Sequence, residues 1–203
     1  MEQIVNQITV RGSLVELPEF SHENHGKRFY RFYLDIPRLS GNTDRLPVIA
    51  EEYIMNTIDL SGGSMLTVTG QIRSHNIRSG GSRHLLIFIF ASAILAEDGE
   101  PCNEVIIEGP LCKEPIYRRT PLGREICDAM LAVKRSFHRA DYLPCIFWGR
   151  SAEEISLCHT GDSIRITGRL QSRIYTKRTD EGQIERVAYE ISALSAQILE
   201  QEM

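Results

Sequence analysis

The chain repeats itself, and a repeat of this length constrains the fold more than any composition could. Asn6-Gln-Ile-Thr-Val-Arg-Gly12 returns as Asn103-Glu-Val-Ile-Ile-Glu-Gly109, Leu34-Asp-Ile as Leu131-Ala-Val, and Leu46-Pro-Val-Ile as Leu143-Pro-Cys-Ile, all at an offset of 97. Gly63-Ser-Met-Leu-Thr-Val-Thr-Gly70-Gln-Ile returns as Gly161-Asp-Ser-Ile-Arg-Ile-Thr-Gly168-Arg-Leu at 98, so one single-residue length change between Glu52 and Gly63 reconciles the two offsets. The economical organisation is two tandem domains, residues 1–97 and 103–203, joined by a short linker at 98–102. The join, Ala96-Glu-Asp-Gly-Glu-Pro101, is polar and short, so the two domains are expected to touch.

Each copy reads as mostly strand. In Ile164-Arg-Ile-Thr-Gly-Arg-Leu-Gln171, Ile164, Ile166 and Leu170 point one way and Arg165, Thr167 and Arg169 the other. Leu66, Val68 and Ile72 take the inward parity in the first copy. One short helix falls between the third and fourth strands. In the second copy it opens with Ser151-Ala-Glu-Glu154, a capping-box pattern, and in the first it runs roughly from Glu51 to Leu60 and stops at Ser61-Gly-Gly63. Asp180-Glu-Gly182 supplies a turn between the last two strands. Pro47 and Pro144 each remove a ladder donor inside a strand, which predicts an edge or a bulge there. Five strands with a helix between the third and fourth is the order of an OB barrel, so the fold expected is all-β, two tandem five-stranded OB-fold barrels. Strand order alone is also compatible with another small β-barrel or sandwich.

Composition excludes several classes. With 42% apolar and 25% charged residues, the chain is neither disordered, collagen-like nor coiled-coil. The longest apolar run, Leu85 to Leu95, is too short for a membrane span and contains Ser92, so no membrane association is expected. Met-Glu-Gln-Ile-Val at the start shows no secretory pattern, which makes a cytoplasmic location the default. Cys102, Cys112, Cys127, Cys145 and Cys158 lack the close pairing of a zinc site and read as reduced thiols used as small hydrophobes. No metal, no cofactor and no catalytic residue is expected, because there is no phosphate loop, metal-ligand spacing or nucleophile motif. A net charge of −4 looks unpromising for a polyanionic ligand, but a groove needs only local positive charge.

The second copy carries a resemblance. Asn103-Glu-Val-Ile-Ile-Glu-Gly-Pro-Leu111, followed by Lys113-Glu-Pro-Ile-Tyr-Arg-Arg-Thr-Pro-Leu-Gly123, resembles the opening of the bacterial single-stranded DNA-binding protein family. Met130-Leu-Ala-Val133, Phe147-Trp-Gly-Arg-Ser-Ala-Glu153 and the run Thr160 to Tyr175 resemble it too, in family order, over nearly all of residues 103–195. The first copy resembles the family mainly through the second.

The resemblance implies binding of single strands by base stacking, with no catalysis, and nominates Phe137, Tyr142, Trp148 and Tyr175 as the stacking residues. Stacking tolerates sequence because every base has a π-face. Independently of the family, Leu143, Cys145 and Phe147 share the core side of the third strand, while Tyr142 and Trp148 share the other. Positive charge follows the same side. Arg165, Arg169 and Arg173 lie on the outward parity of the fourth strand, and Lys177 and Arg178 extend the row into the following loop. Arg118, Arg119 and Arg124 sit in the hairpin between the first two strands, and Lys134, Arg135 and Arg139 flank Phe137. Cations interleaved with aromatics suit a phosphodiester backbone whose bases stack.

The first copy has Ser40, Arg45, Glu51 and Ile77 at the four stacking positions, and Thr67, Gln71 and His75 where the fourth strand has arginines. It reads as a degenerate barrel. Phe29, Arg31 and Tyr33 alternate with the core parity of Tyr30, Phe32 and Leu34, as a displaced nucleic-acid surface or a packing face, and packing is the reading preferred. His22 and His25 read as surface histidines. The family commonly ends in a flexible tail with an acidic recruiting tip, and Ala196 to Met203 shows none. The resemblance and the aromatic-basic face make single-stranded DNA, in replication, repair or recombination, the expected partner. The alternative is a primosome-like or mobile-element accessory whose barrels bind proteins. The family usually presents four barrels, so a homodimer through Phe29 and Tyr33 is expected, against a monomer whose barrels cover each other.

Overall fold

The computed structural model describes residues 5–60, 64–79, 82–137, 139–179 and 182–200. The first half contains β1 (Asn6–Leu14), β2 (Glu19–Asn24), β3 (Lys27–Pro37), β4 (Thr43–Glu51), α1 (Glu52–Met55), β5 (Met65–Ser79) and β6 (Ser82–Ala96). The second contains β7 (Cys102–Pro110), β8 (Ile116–Arg119), β9 (Glu125–Arg135), β10 (Arg139–Trp148), α2 (Arg150–Ser156), β11 (Ser163–Thr179) and β12 (Gly182–Leu199). Without β2 and β8, each half is the five-stranded OB order with its helix between the third and fourth strands. The short β2 and β8, which pair with β3 and β9, are additions that sequence did not predict; both lie entirely exposed.

The alternation read from sequence builds each core. Leu34, Leu46, Leu66, Val68 and Ile72 are fully buried in the first barrel, as are Leu131, Leu143, Phe147, Ile164, Ile166 and Leu170 in the second. β1 closes the first barrel on β3 at Ser13–Asp35 and Leu14–Leu34. The second closes through the Leu111–Leu131 bridge, with Cys112 N–H donating to the Met130 carbonyl at 2.8 Å. Both barrels carry a bulge at the same place, Thr69/Gly70 and Thr167/Gly168. A Cβ on Gly70 would sit 2.2 Å from the Phe90 carbonyl oxygen, and one on Gly168 2.3 Å from that of Ser192, so the repeated glycine permits the close crossing.

The two halves form one continuous sheet. β1 pairs antiparallel with β7 from Asn6–Ile107 to Arg11–Cys102, and its central pair is Ile8–Val105, which are equivalent residues of the repeat. A pseudo-two-fold axis therefore runs through that pair. Two ion-pair locks flank it. Ser172 N–H and Oγ–H donate to Asp44 Oδ1 at 2.6 and 3.1 Å, while Arg38 Nε donates to Asp44 Oδ2 at 2.7 Å and Arg38 Nη2 to the Ser172 carbonyl at 2.8 Å. In the mirror arrangement, Ser74 N–H donates to Asp141 Oδ1 at 2.7 Å and Arg73 Nη1 to Oδ2 at 3.1 Å, with Arg135 at 3.5 Å. Asp44 and Asp141 are 1% and 0% exposed, tolerable only because each meets backbone, hydroxyl and guanidinium donors. His84 and Arg186 also meet across the halves, 3.0 Å apart.

Several expectations need correction. α2 does not start from a capping box: Gly149, at φ 54°, is the N-cap and makes no side-chain cap bond, so Ser151 lies inside the helix and Glu154 pairs with Arg150 instead. Gly149 reaches the left-handed region at no steric cost, and the helix starts two residues early. The first-copy helix shrinks to Glu52–Met55, and Ser61-Gly-Gly63 lies outside the described residues. Lys177 and Arg178 belong to β11, because the hairpin ladder continues to Thr179–Gly182 and leaves no loop before it; Asp180 and Glu181 lie outside the described residues. Pro47 and Pro144 cause no register shift. Each sits one residue before its strand's parallel pairing begins, at Val48–Ile89 and Cys145–Ile191, so the missing donor faces an unladdered edge.

Candidate nucleic-acid interface

The outward face of the second barrel forms across three strands. Trp148 ends β10, and its indole N–H donates to Ser192 Oγ on β12 at 3.2 Å. Ser192 pairs in register with Arg169 on β11, followed by Glu190 with Gln171, Ala188 with Arg173, and Arg186 with Tyr175. The row therefore runs Trp148, Ser192, Arg169, Gln171, Arg173, Tyr175. Trp148 is 38% and Tyr175 36% exposed, large for aromatics on strands. The Arg173 guanidinium lies 5.8 Å over the Tyr175 ring, a cation–π contact that braces the ring. Arg169 Nε is buried with no hydrogen-bond partner, an unsatisfied donor on the same face.

Tyr142, 45% exposed, stands further back on β10, and its N–H donates to Ser74 Oγ of the first barrel at 2.8 Å. Phe137 is 91% exposed at the tip of the β9–β10 hairpin, with φ 62°. A bulky residue held left-handed with its ring in water is a local cost without a packing return, which suits a ligand contact. Lys134 and Arg139 are exposed beside it and Arg135 is half-buried.

The basic row is weaker than its sequence count. Arg118 pairs with Asp128, Arg119 with Glu125, Arg165 with Glu108, Arg173 with Glu190 and Arg135 with Asp141. The hydrogen bond to Asp128 holds the Arg118 guanidinium more firmly protonated than usual. The exposed pairs of Arg118, Arg119 and Arg165 are worth about 0–1 kcal/mol, so phosphates can displace their carboxylates at little cost, whereas Asp141 is buried and Glu190 largely so, and both hold their arginines more firmly. Arg124 is exposed in the turn before β9, while the side chains of Lys177 and Arg178 lie outside the described residues. Sequence reasoning missed Ser192 and Glu190. Both lie on the last strand, where only the ladder register shows which residues face Trp148.

Phe29 overturns an expectation. It is 8% exposed, stacked on His22 of β2 at 4.8 Å and packed on Phe90 of β6 at 6.0 Å. The unforeseen β2 folds over it. Tyr33 is half-buried and faces Tyr189 of the second barrel, whose hydroxyl is pushed up to about 12, chiefly by burial and then by Tyr33. Phe29 is therefore not free to form an interface with another copy.

A family model described as single-strand binding protein family matches residues 102–199. The single-stranded DNA-binding protein B of Bacillus subtilis is 38% identical over 80 residues, 36% of this chain and 71% of that one. Single-stranded DNA-binding protein A of the same organism is 36% identical over 105 residues, and the chain spans only 59% of its length. The wild-type single-stranded DNA binding protein of Thermus aquaticus superimposes over 100% of this chain and 96% of its own, with a TM-score of 0.79 at 21% identity, a likeness of fold.

Proposed function

This chain belongs to the single-strand binding protein family, and we propose that its second barrel binds single-stranded DNA without sequence preference, as a non-enzymatic factor in replication, repair or recombination. The bases stack on Trp148, Tyr175, Tyr142 and Phe137, and Arg169, Arg173, Arg124, Lys134 and Arg139 meet the phosphates. The observation that carries this reading is the pair of exposed aromatics, Trp148 and Tyr175, at the ends of one cross-strand row with Arg169 and Arg173 between them. The test is affinity for oligothymidylate: Trp148→Ala and Tyr175→Ala should each cost about 1–3 kcal/mol, the range for one lost stack. Unchanged affinity in both variants overturns the assignment.

We also propose that two copies associate, presenting four barrels in all. The interface lies away from Phe29, which the chain itself covers. Light scattering should give the mass of two chains at micromolar concentration; one chain's mass at every concentration contradicts it.

A further inference from the structure

The first barrel's outward face is hollow. A groove of about 670 Å³ lies between β2, β3, β5 and β6, with Arg135, Arg139 and Tyr189 of the second barrel closing one end. That volume exceeds what a single nucleotide occupies and falls in the usual range for ligand sites. Its floor carries Phe29, Tyr33 and Phe90, and its sides carry Arg31, Arg73 and Arg139. No carboxylate lines it among the described residues. Arg31 meets Glu19 at 3.4 Å at the surface, and Arg73 is held by the buried Asp141. Arg73 also lies 5.9 Å over the Phe90 ring.

Register shows where these groups came from. Gln71 pairs with Phe90 as Arg169 pairs with Ser192, and Arg73 pairs with Phe88 as Gln171 pairs with Glu190. Phe29 pairs with Glu51 as Ile126 pairs with Trp148. Ser192, Glu190 and Ile126 of the second barrel are thus matched by Phe90, Phe88 and Phe29 in the first, and Gln171 by Arg73, while Arg169 gives way to Gln71. The aromatic lost from β4 is replaced by rings on β3 and β6.

We propose that this groove takes a second stretch of the same single strand, with a base on Phe90 and Tyr33 and a phosphate between Arg31 and Arg139. The strand arrives from Phe137, because Arg135 and Arg139 flank that residue and also line the groove. The proposal rests on the binding assigned above to the second barrel. It takes up the displaced nucleic-acid surface, which the sequence offered beside the preferred packing face.

The test compares oligothymidylates of about 10 and about 30 nucleotides on the full chain, lengths that suit one and two OB barrels. Phe90→Leu, which keeps an apolar side chain but removes the π-face, and Arg31→Glu should each weaken the long oligomer about fivefold or more and leave the short one unchanged. Trp148→Ala should weaken both. Iodouracil-substituted long oligomers on the unmutated chain should cross-link within Phe29–Tyr33 or Phe88–Phe90, a readout independent of any variant's folding. Unaltered long-oligomer affinity in both groove variants, with cross-links confined to the second barrel, overturns the groove and leaves the second barrel's role standing. Groove variants that weaken binding while Trp148→Ala does not support the groove and overturn the second-barrel assignment instead.

Discussion

At the end of the fourth chain element of each barrel, the two halves put opposite chemistry on one scaffold. Trp148 ends β10 with its ring 38% exposed and its indole anchored to Ser192. The equivalent Glu51 ends β4 and pairs with Lys27 at 3.0 Å. A carboxylate there repels phosphate and offers no π-face, so the stacking position of one barrel is closed in the other. Yet the surrounding strands are not correspondingly emptied, since Phe29, Phe88 and Phe90 gather on the first barrel where Ile126, Glu190 and Ser192 stand on the second. Duplication kept the barrel and its axis while the surface chemistry moved from strand to strand. Both halves retain two devices residue for residue: Asn6 and Asn103 each accept from and donate to the backbone of the fourth strand of their own barrel, and Asp44 and Asp141 each lock onto a serine of the other half.

The largest effect is expected at the locks, and it tests whether the halves are energetically alike where they are structurally alike. Asp44→Ala and Asp141→Ala each strand buried guanidinium and amide donors, so each should destabilise the chain by about 3–5 kcal/mol in urea unfolding. A large loss for one and under about 1 kcal/mol for the other would break the symmetry. Next comes a direct exchange of the two surfaces. Trp148→Glu, which copies the first barrel, should cost binding at least the about 1–3 kcal/mol of a lost stack, whereas Glu51→Ala should leave the short oligomer's affinity unchanged. Equal losses would mean the halves bind alike.

The repeat, the barrel order and the buried parity were legible because each depends on local alternation and on a hydrophobic pattern written twice. Trp148, Tyr142 and Tyr175 were legible for the same reason, as large rings on the wrong parity for a core. Phe29 was not, since its burial depends on β2 folding across β3, and Glu19 to Asn24 has no apolar alternation to announce a strand. Asp44 and Asp141 were equally hidden. An aspartate next to an arginine or tyrosine mid-strand reads as surface until a partner from the other half arrives 128 or 67 residues away. The arginine row was over-read because its carboxylate partners lie on neighbouring strands.

A smaller effect separates the halves by their thiols, all of which are in the second. Burial, and then the Asp128 charge, push the Cys127 thiol up to about 11, and burial raises Cys102, Cys112, Cys145 and Cys158 as well. The folded state holds the Cys127 proton more tightly than the unfolded chain does. Its contribution to stability is therefore complete below about pH 8.5 and is lost as pH rises through about 11. Iodoacetamide at neutral pH should label the folded chain far more slowly than the chain in urea; equal rates would place these thiols in water. Last and smallest, single-strand affinity should fall with log salt by about 0.7 per phosphate neutralised, with a slope lower than a count of the arginines suggests because carboxylates already hold several. A flat response removes the cations from the binding face.

Trp148 is the chain's single tryptophan, so its emission reports on the second barrel's face alone. Titration with a short oligothymidylate should quench that emission saturably, and Tyr175→Ala should weaken the midpoint about fivefold or more without abolishing the quench. Binding detected by another probe, with the tryptophan signal unmoved, would contradict the assignment of single strands to the Trp148 face.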